Sequence, residues 1–219
     1  MKHLTLLLFL FGFSLSFAQA KLLPPKTAIF DNSLSKFLKD LSKAVENEDT
    51  PFIVNHLAEE IMVSFGGDGG IQEFKEYWTL DKDTSELWEE LKKIMTLGGG
   101  PYEGIERYTL PYVFTQWPDD ESFDAFEYAA ITGSNVNVRD LPSVEGSKVL
   151  GQFSYDIVKI NYEKTHPEYE DTGWYYVESS TGDLEGYVYG FYVRSPIDYR
   201  LGLEKMEGEW KITYLVAGD

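Results

Sequence analysis

The sequence predicts an α+β fold, with helices concentrated in the first half of the chain and strands in the second. Beyond residue 130, short apolar segments alternate with polar residues and are separated by turn residues, as in an antiparallel sheet. Near the start, apolar residues recur at helical period on one face: Leu34, Phe37, Leu38, Leu41 and Val45. We therefore expect a helical α+β domain over residues 32–128 and a small β-module over residues 129–194.

Residues 1–20 have the composition of a secretory signal peptide. Lys2 supplies the positive charge, Leu4 to Phe17 the apolar run, and Ala18-Gln19-Ala20 a small-x-small cleavage pattern. The apolar run is shorter than the roughly 20 residues of a membrane-spanning helix. We expect an exported protein, periplasmic or secreted, that has no membrane span after cleavage; an uncleaved anchor is the alternative.

The N-terminal domain is expected to follow an extended lead-in over residues 21–31, which contains Pro24-Pro25. Asn32 or Ser33 can cap the first helix. The remaining signals predict, in order, a short helix over Phe52 to Ala58, a strand over Ile61 to Phe65, a sharp turn at Gly66 to Gly70, a helical segment through Ile71, Phe74 and Trp78, a helix capped by Asp83 or Thr84, and a strand over Tyr108 to Thr115.

The last segment, residues 195–219, reads as a β-hairpin. Tyr199 to Met206 and Trp210 to Val216 alternate in polarity and are joined by Glu207-Gly208-Glu209. The β-module has no helix against which this hairpin could pack. We therefore expect the hairpin to pack on the N-terminal domain and to complete it.

Composition excludes several classes of function. The chain has no Cys, which rules out a cysteine nucleophile, and its formal net charge is −18. A strongly acidic protein repels phosphate backbones and anionic lipid, so we expect no nucleic-acid partner. Its 34 aromatic residues (14 Phe, 15 Tyr and 5 Trp) favour a packed fold over disorder.

A set of residues within 129–194 follows the order of a known module. It comprises Asn137-Val138-Arg139, Pro142-Ser143, Trp174, Val177 and Gly186-Tyr187-Val188. In this order the set resembles a bacterial Src-homology-3 domain. The resemblance implies a small β-barrel that serves in binding or targeting. We expect Gly186 to allow close backbone approach and Arg139 to brace the turn after its strand through bidentate bonds to backbone or acid.

The sequence departs from that pattern at two places. Tyr155 stands, before Asp156, where the family often has Gly. Residues 161–173 form an acidic insert that could cover the family's groove or build a new one. The segments 44–49 and 208–212 are also similar to nuclear-transport-factor-2-like α+β folds, a likeness that implies a curved sheet holding a pocket.

Catalytic signals are weak in this sequence. After the leader only His56 and His166 remain, which disfavours a His-based zinc site or a Ser-His-Asp triad, and we expect no cofactor. Paired carboxylates stay possible; Glu59 and Glu60 at a helix end and Asp68 are the first candidates. Calcium at Glu163, Glu168, Glu170 and Asp171 is the remaining metal hypothesis, against a solvated charge run.

Aromatic residues on the module's strands are the better candidates for function. Outward Tyr and Trp bring large contact area to a sugar or peptide at small entropic cost, although they can equally pair across strands for stability alone. The candidate ligand-binding residues are Tyr155, Trp174, Tyr176, Tyr187 and Tyr192.

The sequence therefore favours a non-enzymatic exported binding protein, with an Src-homology-3-like module that recognises a peptide, cell-wall glycan (peptidoglycan) or envelope protein. The alternatives are a carboxylate-based envelope hydrolase that is targeted by the barrel, and an acidic structural or inhibitory partner of another envelope protein.

Overall fold

The computed structural model describes residues 19–26, 31–82, 84–102, 104, 106–165 and 173–218. Within these residues the fold is α+β, with five α-helices and two β-sheets. Most of the predicted signal peptide, residues 1–18, lies outside the described residues.

Helices occupy mainly the first half of the chain. They are α1 (Asn32–Glu46), α2 (Thr50–His56), α3 (Ile71–Tyr77), α4 (Leu87–Leu97) and α5 (Tyr112–Thr115), with a 3₁₀ turn at Gly190–Tyr192. The strands are β1 (Leu57–Met62), β2 (Gly100–Pro101), β3 (Arg107–Leu110), β4 (Tyr128–Ile131), β5 (Val136–Arg139), β6 (Val149–Phe153), β7 (Ile157–Ile160), β8 (Trp174–Ser179), β9 (Glu185–Tyr189), β10 (Val193–Arg194), β11 (Arg200–Met206) and β12 (Glu209–Val216).

The first sheet has the strand order β1-β12-β11-β3-β2. Strands β11 and β12 form an antiparallel hairpin; β1 pairs parallel to β12, and β3 pairs antiparallel to β11. The C-terminal hairpin therefore lies at the centre of a sheet whose other strands come from the N-terminal half. The helices pack on this sheet around one shared core, which includes Leu41, Ile53, Leu91 and Ile94 from the helices and Leu201 and Ile212 from the sheet.

The second sheet has the strand order β10-β4-β7-β8-β9-β5-β6 and is antiparallel throughout. Its outermost strands, β10 and β6, are not paired with each other, so the described residues form no closed barrel. The inner face of the sheet is aliphatic and aromatic: Ile131, Val136, Val138, Phe153, Val158, Val177 and Val188 form one buried cluster.

The two halves of the fold meet at a buried junction between the second sheet and helices α4 and α5. One contact is polar: the guanidinium of Arg194, in β10, donates from Nη2 to Glu90 Oε1 of α4 at 3.0 Å and also to the carbonyl of Tyr199. The other is an apolar cluster of Leu22, Tyr112, Val113, Ala130 and Ile157. Residues from the start, middle and end of the chain therefore hold the halves together.

The first helix confirms the apolar stripe and corrects its cap. Leu34, Phe37 and Leu41 are buried. The capping residue is Asp31 rather than Asn32 or Ser33, because its carboxylate accepts from the backbone N–H of Ser33 at 2.6 Å. The hydroxyl of Ser33 and then Lys205 hold the pKa of this carboxyl at about 2. A capping residue one position earlier than predicted therefore starts the helix.

Two other boundaries were predicted wrongly. Helix α2 ends at His56, and β1 begins at once, so Glu59 and Glu60 are exposed strand residues and not a helix end. The strand predicted over 108–115 stops at Leu110, because Pro111 precedes the short helix α5 and cannot donate to a ladder. The Leu110–Pro111 peptide bond is cis.

Turn signals were more reliable than boundaries. Gly69 and Gly70 have φ angles of 77° and 93°, as the predicted sharp turn requires. The C-terminal hairpin is confirmed, with Glu207 and Gly208 both at positive φ between β11 and β12. Two positive φ angles are typical of the tight turn that joins twisted antiparallel strands.

Candidate functional site

An open groove of about 550 Å³ lies on the second sheet, between the β5–β6 loop and the 3₁₀ turn that precedes β10. This size lies within the range of small-ligand and peptide pockets. We call it the aromatic groove. Its lining residues are Ser134, Asn135, Val136, Asn137, Arg139, Pro142, Ser143, Val144, Trp174, Tyr189 and Tyr192.

Trp174 and Tyr189 supply two of the aromatic rings. They are direct partners across β8 and β9, so they lie side by side on the outer face of the sheet. Their ring centroids are 5.6 Å apart and the ring planes are tilted by 54°. Trp174 is only 8% exposed, whereas Tyr189 is 47% exposed. The indole of Trp174 therefore forms the buried floor beneath the groove, and the phenol ring of Tyr189 is available to a ligand.

Tyr192 supplies the third ring from the end of the 3₁₀ turn. Its carbonyl accepts from the backbone N–H of Thr132 at 2.9 Å, which ties the turn to the loop after β4. Gly133 leaves room for the ring, since a Cβ there would lie 3.0 Å from Tyr192 Cδ1. The turn is also held at Gly190, whose N–H donates to the carbonyl of Gly173. The ring position is thus set by backbone contacts.

The opposite wall is the loop between β5 and β6. Arg139 donates from Nη1 to the hydroxyl of Ser147 at 3.0 Å, and that hydroxyl donates to the carbonyl of Ser143 at 2.6 Å. Asp140 accepts from the backbone N–H of Lys148 at 2.7 Å. Arg139 therefore braces the loop through a serine, in place of the predicted bidentate bond to backbone or acid.

Gly186 confirms the predicted close approach of strands. Its φ is 152°, and a Cβ on it would lie 2.6 Å from the carbonyl oxygen of Arg139. Any side chain at this position would push β9 away from β5. The absence of a side chain therefore keeps the end of β5, which carries Arg139, against the strand that carries Tyr189.

Tyr176 and Tyr187, two of the predicted binding residues, lie outside the lining of the aromatic groove. They form the next pair along β8 and β9, with centroids 5.0 Å apart and perpendicular planes. The ammonium of Lys164 lies 4.3 Å from the centroid of Tyr176 and 2.8 Å from Glu185. The hydrogen bond to Glu185 raises the pKa of Lys164. The Tyr176–Tyr187 pair therefore already has a cationic partner within the protein, the ammonium of Lys164.

Tyr155 also lies away from the groove, in the turn between β6 and β7. Its φ of 59° is in the left-handed region, where Gly is the usual residue. Its carbonyl accepts from the backbone N–H of Leu22 at 2.7 Å. Tyr155 is thus placed at the junction side of the sheet, near Tyr112.

Of the five predicted binding residues, the structure brings Trp174 and Tyr192 together and adds Tyr189. The sequence carried a signal for Tyr189, because it belongs to the same alternating aromatic run as Tyr187. What the sequence did not show was the register that places Tyr189, and not Tyr187, opposite Trp174.

The groove offers aromatic and uncharged polar contacts. Of its lining residues, Arg139 alone carries a formal charge at neutral pH, and Asn137 is held by Gln152, whose amide donates to its Oδ1 at 2.9 Å. No Asp or Glu is found among the described lining residues, so this groove does not supply a carboxylate pair for hydrolysis.

The other catalytic and metal candidates are dispersed. His56 packs its ring 4.1 Å from that of Phe52, and its Nδ1 lies 2.7 Å from the carbonyl of Phe52, as an ordinary helix residue. His166 and most of the proposed calcium residues (Glu168, Glu170 and Asp171) lie outside the described residues. In the part of the chain that is described, no cluster of three His, Asp or Glu side chains could hold a metal ion.

A second depression, of about 690 Å³, lies beside α4 and is lined by aromatic and acidic residues that include Tyr77, Trp78, Glu86 and Tyr199. Two of its acids are already paired: Glu89 with Lys92 at 3.1 Å, and Glu90 with Arg194. Because basic residues of the same protein already pair with these two carboxylates, the depression is a weaker candidate for a binding site than the aromatic groove.

Comparison with known proteins gives no match to a family model, to a curated protein or to a solved structure. Every helix in the described ranges is too short or too polar to cross a membrane.

Proposed function

We propose that this chain is a non-enzymatic binding protein of the bacterial cell envelope, whose aromatic groove recognises an extended peptide. The observation that carries the proposal is the set of three rings, Trp174, Tyr189 and Tyr192, gathered between a braced loop and a 3₁₀ turn. Grooves lined with aromatic residues are a recurring way to bind peptides in the polyproline II conformation.

Ring geometry favours a peptide over a glycan. A sugar stacks on a flat and exposed ring face, whereas Trp174 is nearly covered and is tilted by 54° from Tyr189. Tilted rings instead form ridges and clefts, into which a proline ring or an aliphatic side chain fits. The uncharged amides of Asn135 and Asn137 beside the rings suit the exposed carbonyl groups of an extended backbone.

The resemblance to bacterial Src-homology-3 domains supports the same proposal. Of the residues that carry it, Asn137, Arg139, Pro142, Ser143 and Trp174 all line the groove. We further propose that the second sheet is a barrel-like module of this type.

At Tyr155 the side chain departs from the family pattern, but the backbone conformation does not. Tyr155 replaces a family glycine, yet it keeps the positive φ that a glycine would adopt, at 59°. This supports the proposed resemblance at the very position where the side chain departs from it.

The charge of the protein limits which peptides are expected to bind in the groove. The chain has a net charge of −18, which repels acidic ligands at long range, while Arg139 is the one charge lining the groove. We therefore propose neutral or weakly basic segments, containing proline or aliphatic residues, as the preferred ligands.

The experiment is selection from a random peptide library displayed on phage, followed by affinity measurement on purified protein. Tyr189→Ala and Tyr192→Ala are each expected to weaken binding of a selected peptide by roughly 5- to 30-fold, the effect of removing a central aromatic contact. The matched control is Tyr187→Ala, on the same strand and face as Tyr189 but outside the lining residues; it is expected to leave the affinity unchanged within about twofold.

Binding to peptidoglycan distinguishes recognition of a peptide from recognition of a glycan. Insoluble sacculi, with and without enzymatic removal of their stem peptides, are pelleted with the protein. Retention only while the stems are present agrees with peptide recognition. Retention by stripped glycan strands that Tyr189→Ala abolishes would overturn the peptide proposal in favour of a glycan. Failure to select any peptide that competes at the groove would overturn it as well.

A further inference from the structure

Residues 19–22 are paired with the turn between β6 and β7. The backbone N–H of Ile157 donates to the carbonyl of Ala20 at 2.8 Å, and the N–H of Leu22 donates to the carbonyl of Tyr155 at 2.7 Å. Between them, Lys21 forms an antiparallel bridge with Asp156. This segment therefore acts as a short strand added to the second sheet.

Side chains reinforce this pairing on both sides of Ala20. The amide of Gln19 donates from Nε2 to the carbonyl of Ile157 at 2.8 Å, and its Oε1 accepts from the hydroxyl of Ser180 at 3.0 Å. The ammonium of Lys21 lies 2.7 Å from Asp156 Oδ1, whose side chain is only 5% exposed. Gln19 is thus integrated into the fold to the same degree as Lys21.

The segment also covers the junction between the two halves. Leu22 is buried against Tyr112, Val113, Ala130 and Ile157, and Ala20 packs against the same cluster. The carbonyl of Leu22 accepts from the phenol of Tyr112 at 3.3 Å. Ala20, the last residue of the predicted leader, and Leu22, just after it, therefore both cover the apolar cluster at the junction.

Cleavage after Ala20, where the small-x-small pattern first suggests it, would remove part of this seam. Ile157 is 1% exposed, and its backbone N–H would lose Ala20 as its acceptor. A buried donor without an acceptor is destabilising. The hydroxyl of Ser180 and the carbonyl of Ile157 would lose Gln19 at the same time.

We infer that the mature chain begins at Gln19, because the signal peptidase hydrolyses the bond between Ala18 and Gln19. Water adds to the carbonyl carbon of Ala18, the C–N bond breaks, and the products are a carboxylate on Ala18 and an amine on Gln19. Ser16 and Ala18 are the small residues of this site, so the sequence satisfies the small-x-small rule here as well. The inference rests on the proposed export of the chain.

The test is the mass of the exported protein. The full chain, with its own leader, is expressed in a bacterium and recovered from the periplasm or the medium for intact mass spectrometry. The expected species is 19–219. A dominant species that begins at Lys21, or an uncleaved chain, overturns the inference without bearing on peptide binding by the groove.

Two matched variants separate the two cleavage sites, because each changes a position that only one site requires. Ser16→Leu places a bulky side chain in the Gln19 site alone and is expected to slow processing by at least roughly tenfold. Ala20→Leu affects only the site before Lys21 and is expected to leave the position and rate of cleavage unchanged. The reverse pattern would overturn the assignment.

A stability comparison tests the role of the two residues. The chain 21–219 is expected to melt roughly 3–8 °C below 19–219, or to fail to fold, since buried hydrogen-bond partners are lost. Equal melting temperatures would overturn the claim that Gln19 and Ala20 belong to the folded protein.

Discussion

Trp174 and Tyr189 lie directly opposite each other on β8 and β9, with ring centroids 5.6 Å apart, and both rings line the aromatic groove. The neighbouring residues Val177 and Val188, on the same strands, point to the opposite face and are fully buried. The same two strands therefore supply both the core of the module and its candidate binding surface. A ligand would meet rings that the packed sheet already holds in place, which lowers the entropic cost of binding.

Peptide binding at the aromatic groove is expected to depend weakly on salt. Arg139 is the one formal charge among the lining residues, so dissolved salt has little charge to screen within the groove. Raising the salt concentration from about 0.05 M to about 0.5 M is expected to change the affinity of a selected peptide by less than about threefold. The check is a titration at both salt concentrations.

A steep loss of affinity with salt would contradict this account. Such a loss would favour the alternative in which the acidic surface of the protein meets a basic partner, because interactions between exposed charges are screened strongly. The control is the same titration with Arg139→Gln, which removes the local charge and is expected to flatten any residual dependence.

Replacing Gly186 is expected to destabilise the second sheet. In Gly186→Ala the new Cβ would lie 2.6 Å from the carbonyl oxygen of Arg139, at a φ of 152° that L-residues rarely adopt. We expect a loss of about 1–3 kcal/mol in the free energy of unfolding, measured by urea denaturation. Gly66→Ala is the control, because nothing lies within 4 Å of a Cβ there; an equal loss in both variants would contradict the steric argument.

Breaking the ion pair between Arg194 and Glu90 at the junction is expected to destabilise the fold. The side chains of Arg194 and Glu90 are 10% and 14% exposed, and Arg194→Met leaves Glu90 without its nearest cation in a largely buried place. We expect a loss of about 2–4 kcal/mol in the free energy of unfolding. The double variant Arg194→Met with Glu90→Met is expected to lose less than the sum of the single variants.

An exposed pair provides the control for that experiment. Lys36 and Asp40 are 2.7 Å apart in α1, but their side chains are 80% and 44% exposed. Lys36→Met is expected to change the free energy of unfolding by less than about 0.5 kcal/mol. Similar losses at both pairs would show that burial at the junction does not matter.

Tyr112 is expected to make stability depend on alkaline pH. Burial, with the nearby Tyr155, raises its pKa from 10.0 to about 12. A raised pKa means that the folded state holds the proton more tightly, so this contribution is complete below pH 10 and is lost as the pH rises through 12. At about 1.4 kcal/mol for each pKa unit, the full size of this contribution is about 3 kcal/mol.

Comparison with Tyr112→Phe isolates this group. The variant loses the hydrogen bond to the carbonyl of Leu22, which is expected to cost about 1 kcal/mol at neutral pH. Between pH 10 and 12, however, the wild type is expected to lose stability faster than the variant. Parallel curves from urea denaturation across this range would show that Tyr112 does not titrate in the folded protein as described.

The sequence predicted local structure well where a period or a turn residue decides it. The stripe through Leu34 and Leu41 defines α1, and Gly208 marks the tight turn of the C-terminal hairpin. Boundaries were missed where two signals compete. Asp31 caps α1 from one position before the predicted capping residues. Helix α2 ends at His56, two residues before its predicted end at Ala58, because strand pairing of β1 with β12 overrides the helical pattern.

The candidate site was less predictable for a physical reason. Alternation indicates which rings point outward, and Trp174, Tyr176, Tyr187 and Tyr189 all do. The strand register pairs Tyr189 with Trp174, and the β5–β6 loop, braced by Arg139 and Ser147, places the opposite wall of the groove beside that pair. The register and the loop conformation both depend on contacts between residues that alternation along a strand does not relate.

The most direct test of the central claim is to map a selected peptide onto the protein by NMR. Uniformly ¹⁵N-labelled chain is titrated with the peptide, and the backbone and indole N–H signals are followed. If the peptide occupies the aromatic groove, the largest shifts fall on the indole of Trp174 and the backbone N–H groups of Tyr189, Tyr192 and Asn137. Shifts concentrated around Tyr77 and Trp78, or around Tyr176 and Lys164, would contradict binding at this groove.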